Sequence, residues 1–348
     1  MGGNEMQEKF LIGTYTKKTS QGIYTIILDT TTKQLSDIKL LVPAQNPTYL
    51  GVSAANNLYS VIKEGTQGGV GAYNLNTQPP TLTNAVLGAG SPPAYVSIDE
   101  ARQLVFSGNY HLSTVTVYKI NSNGGLTQTD QVTHQGLTGP AMEQDTPHVH
   151  YCDLTPDNRL VVCDLGMDLT VVYDVTDDGK LTAVSRYQSE PGFGSRHIKF
   201  NPTNPNIAYL LGELSSKLEV LKYNPNLGEF THLQTISTIP ADWTAHNGAA
   251  AIHVSADGKY IYTSNRGQDT LAVFEALPDQ SVKLIQSIST EGSFPRDFTL
   301  DSTEKFVVCA NQETDNLTLY ARDSKSGRLT LLQKDVQCPE GVCVKVLR

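Results

Sequence analysis

The sequence lacks the features that would place it in a membrane, on nucleic acid or in an exported protein. Its 348 residues contain no apolar run of the roughly 20 residues that a membrane helix needs. Lysine and arginine number 26 against 35 aspartates and glutamates, and the net charge of −9 disfavours nucleic-acid or anionic-membrane binding. The first ten residues, MGGNEMQEKF, have no apolar signal segment, so we expect a cytoplasmic protein.

Cysteine is scarce, and several catalytic motifs are missing. The five cysteines include no Cys-x-x-Cys pair and their number is odd, so we expect free thiols. In CPEGVC, packing of Cys338 and Cys343 is favoured over a disulfide or a metal site. The absence of G-x-S-x-G, P-loop, H-E-x-x-H and G-x-G-x-x-G motifs removes the usual support for serine hydrolase, nucleotide-binding and zinc protease functions.

The sequence instead contains a repeat of about 50 residues. A short alternating strand ends in an aromatic or large apolar residue, a polar turn follows, and a second strand opens with another large apolar residue. The seven copies are centred on Tyr24, Tyr73, Tyr118, Tyr173, Leu221, Phe274 and Tyr320. Another hairpin, such as AAIHVSADGKYIYTSN, precedes most copies, so each repeat predicts four antiparallel strands.

Four-stranded units repeated in this way predict an all-β fold, a seven-bladed β-propeller. The chain begins with FLIGTYT, which matches the second strand of a unit, and ends with GVCVKVLR, which matches a first strand. We therefore expect the N- and C-terminal strands to share one blade and close the ring, which removes exposed sheet edges. We predict one propeller domain over residues 10–348, preceded by an N-terminal extension over residues 1–9.

The predicted topology gathers polar side chains at one mouth of the central channel. In an antiparallel blade, the start of the first strand and the end of the second strand lie on the same face. These positions supply His148, His150, Arg196, His197 and Arg296 from strand starts, and Asn109, Glu213 and Arg266 from strand ends. Because arginine binds carboxylates and phosphates through paired hydrogen bonds, we predict a small anionic ligand in a concave pocket.

Strand periodicity makes separate predictions for the neighbouring pairs at this mouth. Successive strand residues point to opposite sides, so one of Arg196 and His197 should face the ligand and the other should pack between blades, and we favour Arg196 at the ligand. His148 and His150 are two residues apart and should share a face. Such a pair suits proton transfer or half of a metal site, and a structural role for at least one of the two is equally compatible.

A set of motifs spread from about Gly13 to Gln312 resembles the lactonase family of seven-bladed propellers. The motifs are, in order, GTYTKKTSQGIY, NPTYL, HVH, DLGMD, PGFGSRHI, GELSS, SNRGQD and FPRDF. That family includes the propeller type of 6-phosphogluconolactonase and, more distantly, the 3-carboxy-cis,cis-muconate lactonizing enzymes. Ser195 departs from the family pattern, in which proline often precedes the Arg-His pair.

The resemblance implies hydrolysis of a phosphorylated sugar lactone, 6-phosphogluconolactone, in the oxidative pentose phosphate route. In this hypothesis His148 or Glu213 is the general base for water and Arg196 stabilises the oxyanion, without a metal or organic cofactor. Arg266 and Arg296 would bind the phosphate. From the same mouth of the channel we add His150, His197 and Asn109 as substrate-binding residues.

Three alternatives stay open from the sequence. The same arginines could hold an unsaturated dicarboxylate in a cycloisomerase, or the propeller could be a binding scaffold without catalysis. A third alternative is a Ca²⁺-dependent lactonase, whose oxygen ligands would come from Glu64, Asn109, Asp164, Glu213, Asn265 and Asn311. For Asn265 and Asn311 we favour a structural role in turns. The sequence does not distinguish a monomer from a dimer.

Overall fold

Alternating strands and polar turns fold into seven four-stranded antiparallel sheets in a computed structural model that describes residues 6–347. Each sheet is one blade. Blades 1 to 3 are formed by β1 (Gln7–Thr14), β2 (Gly22–Asp29) and β3 (Gln34–Pro43); by β4 (Leu50–Val52), β5 (Asn57–Glu64), β6 (Gln67–Asn74) and β7 (Thr81–Ala89); and by β8 (Tyr95–Asp99), β9 (Leu104–Asn109), β10 (Thr114–Ile120) and β11 (Leu126–Thr133).

Blades 4 to 7 repeat the same order and include the strand that closes the ring. They are formed by β12 (Val149–Leu154), β13 (Leu160–Asp164), β14 (Leu169–Val175) and β15 (Leu181–Gln188); by β16 (Ser195–Asn201), β17 (Asn204–Gly212), β18 (Lys217–Asn224) and β19 (Glu229–Ser237); by β20 (Gly248–Val254), β21 (Tyr260–Arg266), β22 (Thr270–Ala276) and β23 (Val282–Ser289); and by β24 (Pro295–Leu300), β25 (Phe306–Asn311), β26 (Asn316–Arg322) and β27 (Leu329–Gln337). The last strand, β28 (Gly341–Leu347), is the innermost strand of blade 1 and pairs with β1.

The predicted fold is confirmed in its blade number, strand order and closure. Neighbouring innermost strands contact each other around the whole ring, from β4 through β8, β12, β16, β20 and β24 to β28 and back to β4. Residues 6–347 contain no helix, and therefore none that could span a membrane. The five cysteines are buried and free, as predicted.

The hydrophobic core lies between adjacent blades. Inner and middle strands such as LVVCD in β13 are buried along their whole length, whereas the outer strand LTAVSRYQ in β15 is mostly exposed. Between blades 5 and 6, Tyr209 and Val220 pack against Ile252 and Phe274. Each blade therefore buries its apolar faces against its neighbours, and closure of the ring leaves no blade without one.

Buried asparagines link the end of the second strand to the preceding inter-blade loop. Asn265 Nδ2 donates to Thr238 O at 2.9 Å and to Thr270 Oγ1 at 3.2 Å. Asn311 repeats this arrangement one blade later, with its Nδ2 donating to Thr290 O at 2.9 Å. The structural interpretation of these two residues is confirmed, because their amides satisfy backbone groups of the loop.

The first strand starts earlier than the predicted domain boundary at residue 10. Gln7 pairs with Asp29 and Lys9 with Ile27, so residues 7–9 belong to blade 1. These polar residues lie at the outer end of β1, where no apolar alternation indicates a strand. Residues 1–5 of the predicted extension lie outside the described residues.

Candidate active site

Three of the predicted site residues, His150, Arg196 and Arg296, take the same structural position in blades 4, 5 and 7. Each is the extra residue of a β-bulge near the start of the innermost strand, where two residues face one partner on the second strand. A bulge changes the direction of a side chain from the one that regular strand alternation gives, and bulges are common beside active sites. All three side chains line one cavity at the mouth of the channel.

The bulge at Arg196 explains the position of His197. Arg196 lines the cavity, as predicted, but His197 does not pack between blades. Its ring lies deeper in the channel, 5.2 Å from the rings of Tyr95 and Tyr151 and from the ring of His150. His197 thus borders a narrow space of about 10 Å³ beneath the cavity rather than the cavity itself.

Glu213 joins two of the arginines through a single oxygen atom. This residue directly follows β17, and its Oε1 accepts hydrogen bonds from Arg196 Nη1 and, at 2.5 Å, from Arg266 Nη2. The guanidinium groups are also fixed to backbone carbonyls, with Arg196 Nε donating to Ala250 O and Arg266 Nε to Gly248 O. Burial opposes ionisation of Glu213, yet Arg266 and Arg196 hold the pKa of its carboxyl well below its usual range. Glu213 is therefore a carboxylate at neutral pH.

Arg296 is paired with Tyr15, which the sequence analysis missed. Arg296 Nη1 donates to Tyr15 Oη at 3.0 Å, and Lys17 Nζ lies 4.1 Å from the centre of the Tyr15 ring. The charge of Arg296, assisted by Lys17, lowers the pKa of Tyr15 although burial opposes the shift. Both missed residues belong to the motif GTYTKKTSQGIY, but nothing in the sequence pattern points their side chains into the channel.

His148 does not line the cavity. Its Nδ1 is 2.7 Å from Tyr110 O and its Nε2 is 2.7 Å from Asp145 Oδ1, so both ring nitrogens have partners. The ring stacks on Tyr110 with centroids 4.0 Å apart. His148 precedes β12, which starts at Val149, and the two-residue alternation with His150 therefore does not apply. The structure gives His148 the contacts of a residue that orders the loop beside the cavity.

His150 is a buried histidine of the cavity, and one of its ring nitrogens has no partner within residues 6–347. The residue is 4% exposed, lines the cavity, and its Nδ1 has no hydrogen-bond partner among the described residues. Burial, followed by the charge of Arg196, lowers the pKa of His150 well below its usual value. A neutral imidazole at pH 7 can take a proton from water. Of His148 and His150, the latter is thus the one that borders the cavity.

Two of the remaining predicted ligands, Asn109 and Asp164, are engaged in the scaffold, whereas Glu64 is exposed and does not line the main cavity. Asn109 Nδ2 donates to Ser91 O and its Oδ1 accepts from Leu112 N, both at 2.9 Å, and Asn109 does not line the main cavity. Asp164, which the Ca²⁺ alternative required, is hydrogen-bonded to His134. Within residues 6–347, no group of three or more His, Cys, Asp or Glu side chains is arranged to hold a metal ion.

The cavity has a volume of about 340 Å³ and two chemically different sides. His150, Arg196, Glu213 and Arg266 line it from blades 4 to 6. Tyr15, Lys17, Asn46, Thr48 and Lys63 line it from blades 1 and 2, across the ring. Among the described lining residues, five are lysine or arginine and one, Glu213, is a carboxylate. A small anion fits this distribution of charge.

A second cavity of about 340 Å³ lies next to the first and shares Glu213 and Arg266 with it. Its other lining residues include His246 and Phe294, and the guanidinium carbon of Arg266 lies 5.1 Å from the centre of the Phe294 ring. The Glu213–Arg266 pair therefore forms a partition between two spaces that both open on the same face.

These features define a seven-bladed β-propeller whose channel mouth holds a cationic pocket with one carboxylate, Glu213, and two histidines, His111 and His150, whose pKa values are lowered chiefly by burial. The chain belongs to the family described as Lactonase, 7-bladed beta-propeller, which matches residues 9–346. The resemblance seen in the motifs is thereby confirmed.

Several relatives cover nearly the whole chain. A protein from Lactobacillus plantarum, known from its crystal structure, is 58% identical with a TM-score of 0.97, over 99% of this chain and 100% of that one. The 6-phosphogluconolactonase of Bacillus subtilis is 43% identical over 342 residues, 97% of each chain. A periplasmic gluconolactonase of Pseudomonas aeruginosa is 28% identical with a TM-score of 0.91, over 98% and 99% of the two chains.

Proposed function

We propose that this protein hydrolyses 6-phosphogluconolactone to 6-phosphogluconate. The observation that carries the proposal is the cavity in which Arg196 and Arg266 bind the carboxylate of Glu213, with His150 and Arg296 lining the same space. The name of the Bacillus subtilis relative, which matches over the full length, supports this choice of substrate. The cationic lining suits a substrate that carries a phosphate.

The chemistry takes place at the side formed by blades 4 to 6. A water oxygen attacks the lactone carbonyl carbon while one water proton passes to the imidazole of His150. The guanidinium group of Arg196 stabilises the negative charge that develops on the carbonyl oxygen. The bond from the carbonyl carbon to the ring oxygen then breaks, and the ring oxygen takes the proton from the imidazolium. The net change is the addition of one water molecule.

Glu213 supports this reaction through its charge. It holds the guanidinium groups of Arg196 and Arg266 in fixed positions, and its carboxylate favours the protonated form of His150 that arises during the reaction. Because Arg266 shares the Oε1 atom of Glu213 with Arg196, we assign Arg266 to the carbonyl end of the substrate. This differs from the role at the phosphate that the resemblance implied.

The test is the hydrolysis of freshly generated 6-phosphogluconolactone, coupled to 6-phosphogluconate dehydrogenase and corrected for spontaneous hydrolysis. We expect Arg196→Ala to lower kcat by about 10²–10³-fold, as for the loss of an oxyanion donor. Arg328→Ala is the matched control, because Arg328 is exposed on an outer turn and should leave kcat unchanged.

Other outcomes would point to the alternatives. No acceleration by the wild-type protein over the spontaneous rate would refute the proposal. Loss of activity with a chelator and recovery with Ca²⁺ would support a metal-dependent lactonase instead. Conversion of an unsaturated dicarboxylate, followed by its ultraviolet absorbance, would support a cycloisomerase.

A further inference from the structure

We propose that Lys17 and Lys63 form a phosphate subsite that selects phosphorylated over unphosphorylated lactones. The inference rests on the proposed function, since it assumes a lactone in the same cavity. It concerns the side of the cavity formed by blades 1 and 2, where the sequence indicated no substrate-binding residue. It also addresses why one family can contain proteins named for a phosphorylated and for an unphosphorylated substrate.

The arginines of the cavity are largely committed to partners inside the protein. Arg196 and Arg266 donate to the same oxygen of Glu213 and to backbone carbonyl groups. Arg296 donates to Tyr15. A phosphate dianion would compete with Glu213 for the first two guanidinium groups and would displace the carboxylate that holds them. The arginines therefore suit the carbonyl end better than the phosphate end.

Lys17 and Lys63 are cations of the cavity without a carboxylate partner, as is Arg296, but unlike Arg296 they make no side-chain hydrogen bond among the described residues. Among the ion pairs of residues 6–347, none involves either ammonium group, whereas the adjacent Lys18 pairs with Glu313 at 3.4 Å. Lys63 is partly buried at the end of β5, and Lys17 follows β1 on the neighbouring blade. Two ammonium groups without carboxylate partners at one side of a cavity provide charge complementary to a phosphate.

The loop that carries Lys17 is held rigidly by the buried carboxylate of Glu340. Glu340 is 3% exposed, and its oxygens accept hydrogen bonds from the backbone N–H groups of Lys17, Lys18 and Ser20, each at 3.0 Å. The preceding N–H, that of Thr16, donates to Asn46 Oδ1 at 2.9 Å. The backbone of Lys17 is thus fixed before a ligand binds, which reduces the entropic cost of placing its ammonium group at a phosphate.

The experiment compares two lactones in three variants. The values of kcat/KM are measured for 6-phosphogluconolactone and for glucono-1,5-lactone with Lys17→Gln, Lys63→Gln and the double variant. Each single substitution should lower kcat/KM for the phosphorylated lactone about 10-fold or more, because a charged donor makes a stronger hydrogen bond to phosphate than a neutral one. The double variant should lose about 100-fold on that substrate and less than about twofold on glucono-1,5-lactone.

Lys18→Gln is the matched control, since Lys18 belongs to the same loop but points to Glu313 and does not line the cavity. It should leave the ratio of the two kcat/KM values unchanged. Unchanged kcat/KM values for both lactones in the double variant would overturn the inference while leaving the proposed function intact. An equal loss on both lactones would also overturn it, because the lysines would then act on the carbonyl end.

A binding measurement keeps the test independent of catalysis. Calorimetric titration with 6-phosphogluconate and with gluconate should show tighter binding of the phosphorylated acid to the wild-type protein, and no such difference for the double variant. If the wild-type protein hydrolyses neither lactone, the proposed function fails, and this titration still decides whether Lys17 and Lys63 bind phosphate. Equal binding of both acids to the wild-type protein would refute the subsite.

Discussion

His150 is an uncharged side chain close to three guanidinium groups, and its protonation decides whether it can act as a base. Burial and the charge of Arg196 lower its pKa well below the usual value of about 6.5. The imidazole of the free enzyme should therefore stay neutral throughout the neutral range. Activity should be lost only as the pH falls through this lowered pKa.

We therefore predict that kcat/KM for glucono-1,5-lactone, which carries no titrating phosphate, is nearly constant between pH 6 and pH 8, after subtraction of spontaneous hydrolysis. The pH dependence of kcat/KM reports the ionisation of the free enzyme. A decline with a midpoint near pH 6.5 would contradict the assignment, because it would indicate a base with an ordinary histidine pKa. His150→Asn should abolish most turnover across the range, whereas His232→Asn, on the outer strand β19, should not.

At the scale of single residues, the sequence could identify residue types but not their contacts. Arg196, Glu213, Arg266 and Arg296 could be predicted because strand starts and strand ends converge at one mouth. His148 was expected at the substrate but does not line the cavity, and its two ring nitrogens contact Tyr110 and Asp145, which no local pattern encodes. Lys17 and Tyr15 were missed for the corresponding reason, since surface lysines are common and only the fold turns this one toward a cavity.

At the scale of elements, the β-bulges are the feature that strand periodicity could not predict. The strands themselves follow from alternating apolar residues and polar turns. A bulge inserts one residue into a strand, and no residue type or sequence pattern marks the insertion. The period-2 rule therefore assigns the wrong face to the residue that follows it. This is why Arg196 was placed correctly while its neighbour His197 was expected between the blades.

The loop over residues 15–20 depends on the carboxylate of Glu340, and this dependence can be measured. We predict that Glu340→Ala lowers the free energy of unfolding by about 2–3 kcal/mol, because one buried and several partly buried backbone N–H groups lose a charged acceptor. Urea denaturation gives the change in stability, and hydrogen exchange should show faster exchange of the Lys17, Lys18 and Ser20 amides.

Glu313→Ala is the control for this loop, because Glu313 forms an exposed ion pair with Lys18. Exposed pairs contribute at most about 1 kcal/mol, so this variant should be close to the wild-type protein. Equal effects of the two substitutions, or unchanged exchange of the loop amides in Glu340→Ala, would show that Glu340 does not hold the loop.

At the scale of the whole molecule, the channel contains histidines that the fold keeps neutral. Burial and nearby cations lower the pKa of His150 and His197 well below its usual value, and that of His253 to about 3, chiefly by burial with Lys199 contributing. Below about pH 6.5 the unfolded chain takes up protons that the folded chain does not. Each such histidine therefore favours the folded state fully above pH 6.5 and less as the pH falls.

We predict that each of these histidines makes the free energy of unfolding fall more steeply as the pH decreases, by up to about 1.4 kcal/mol per pH unit. His253→Gln tests this away from the cavity. Between pH 5.5 and pH 4.5 its free energy of unfolding should fall less steeply than that of the wild-type protein by about this amount. Parallel pH profiles of the two proteins would show that His253 is protonated in the folded state.

The global architecture was the most predictable level. Seven copies of one unit fix the number of blades, and complementary terminal strands fix the closure, because both are read from long stretches of pattern rather than from single contacts. The start of the domain was less predictable. Gln7, Glu8 and Lys9 pair with β2 through their backbones, but their own side chains are polar and show no apolar alternation.

Because the bulge recurs in several blades of this protein, the side chain at a bulge can change without a change in the fold. Val342 is the extra residue of a similar bulge in β28, so blade 1 carries an apolar side chain where blades 4, 5 and 7 carry His150, Arg196 and Arg296. A point mutation at such a position changes what the pocket recognises while leaving the strand register intact. A duplicated gene could therefore acquire a new substrate one blade at a time, without passing through an unfolded ancestor.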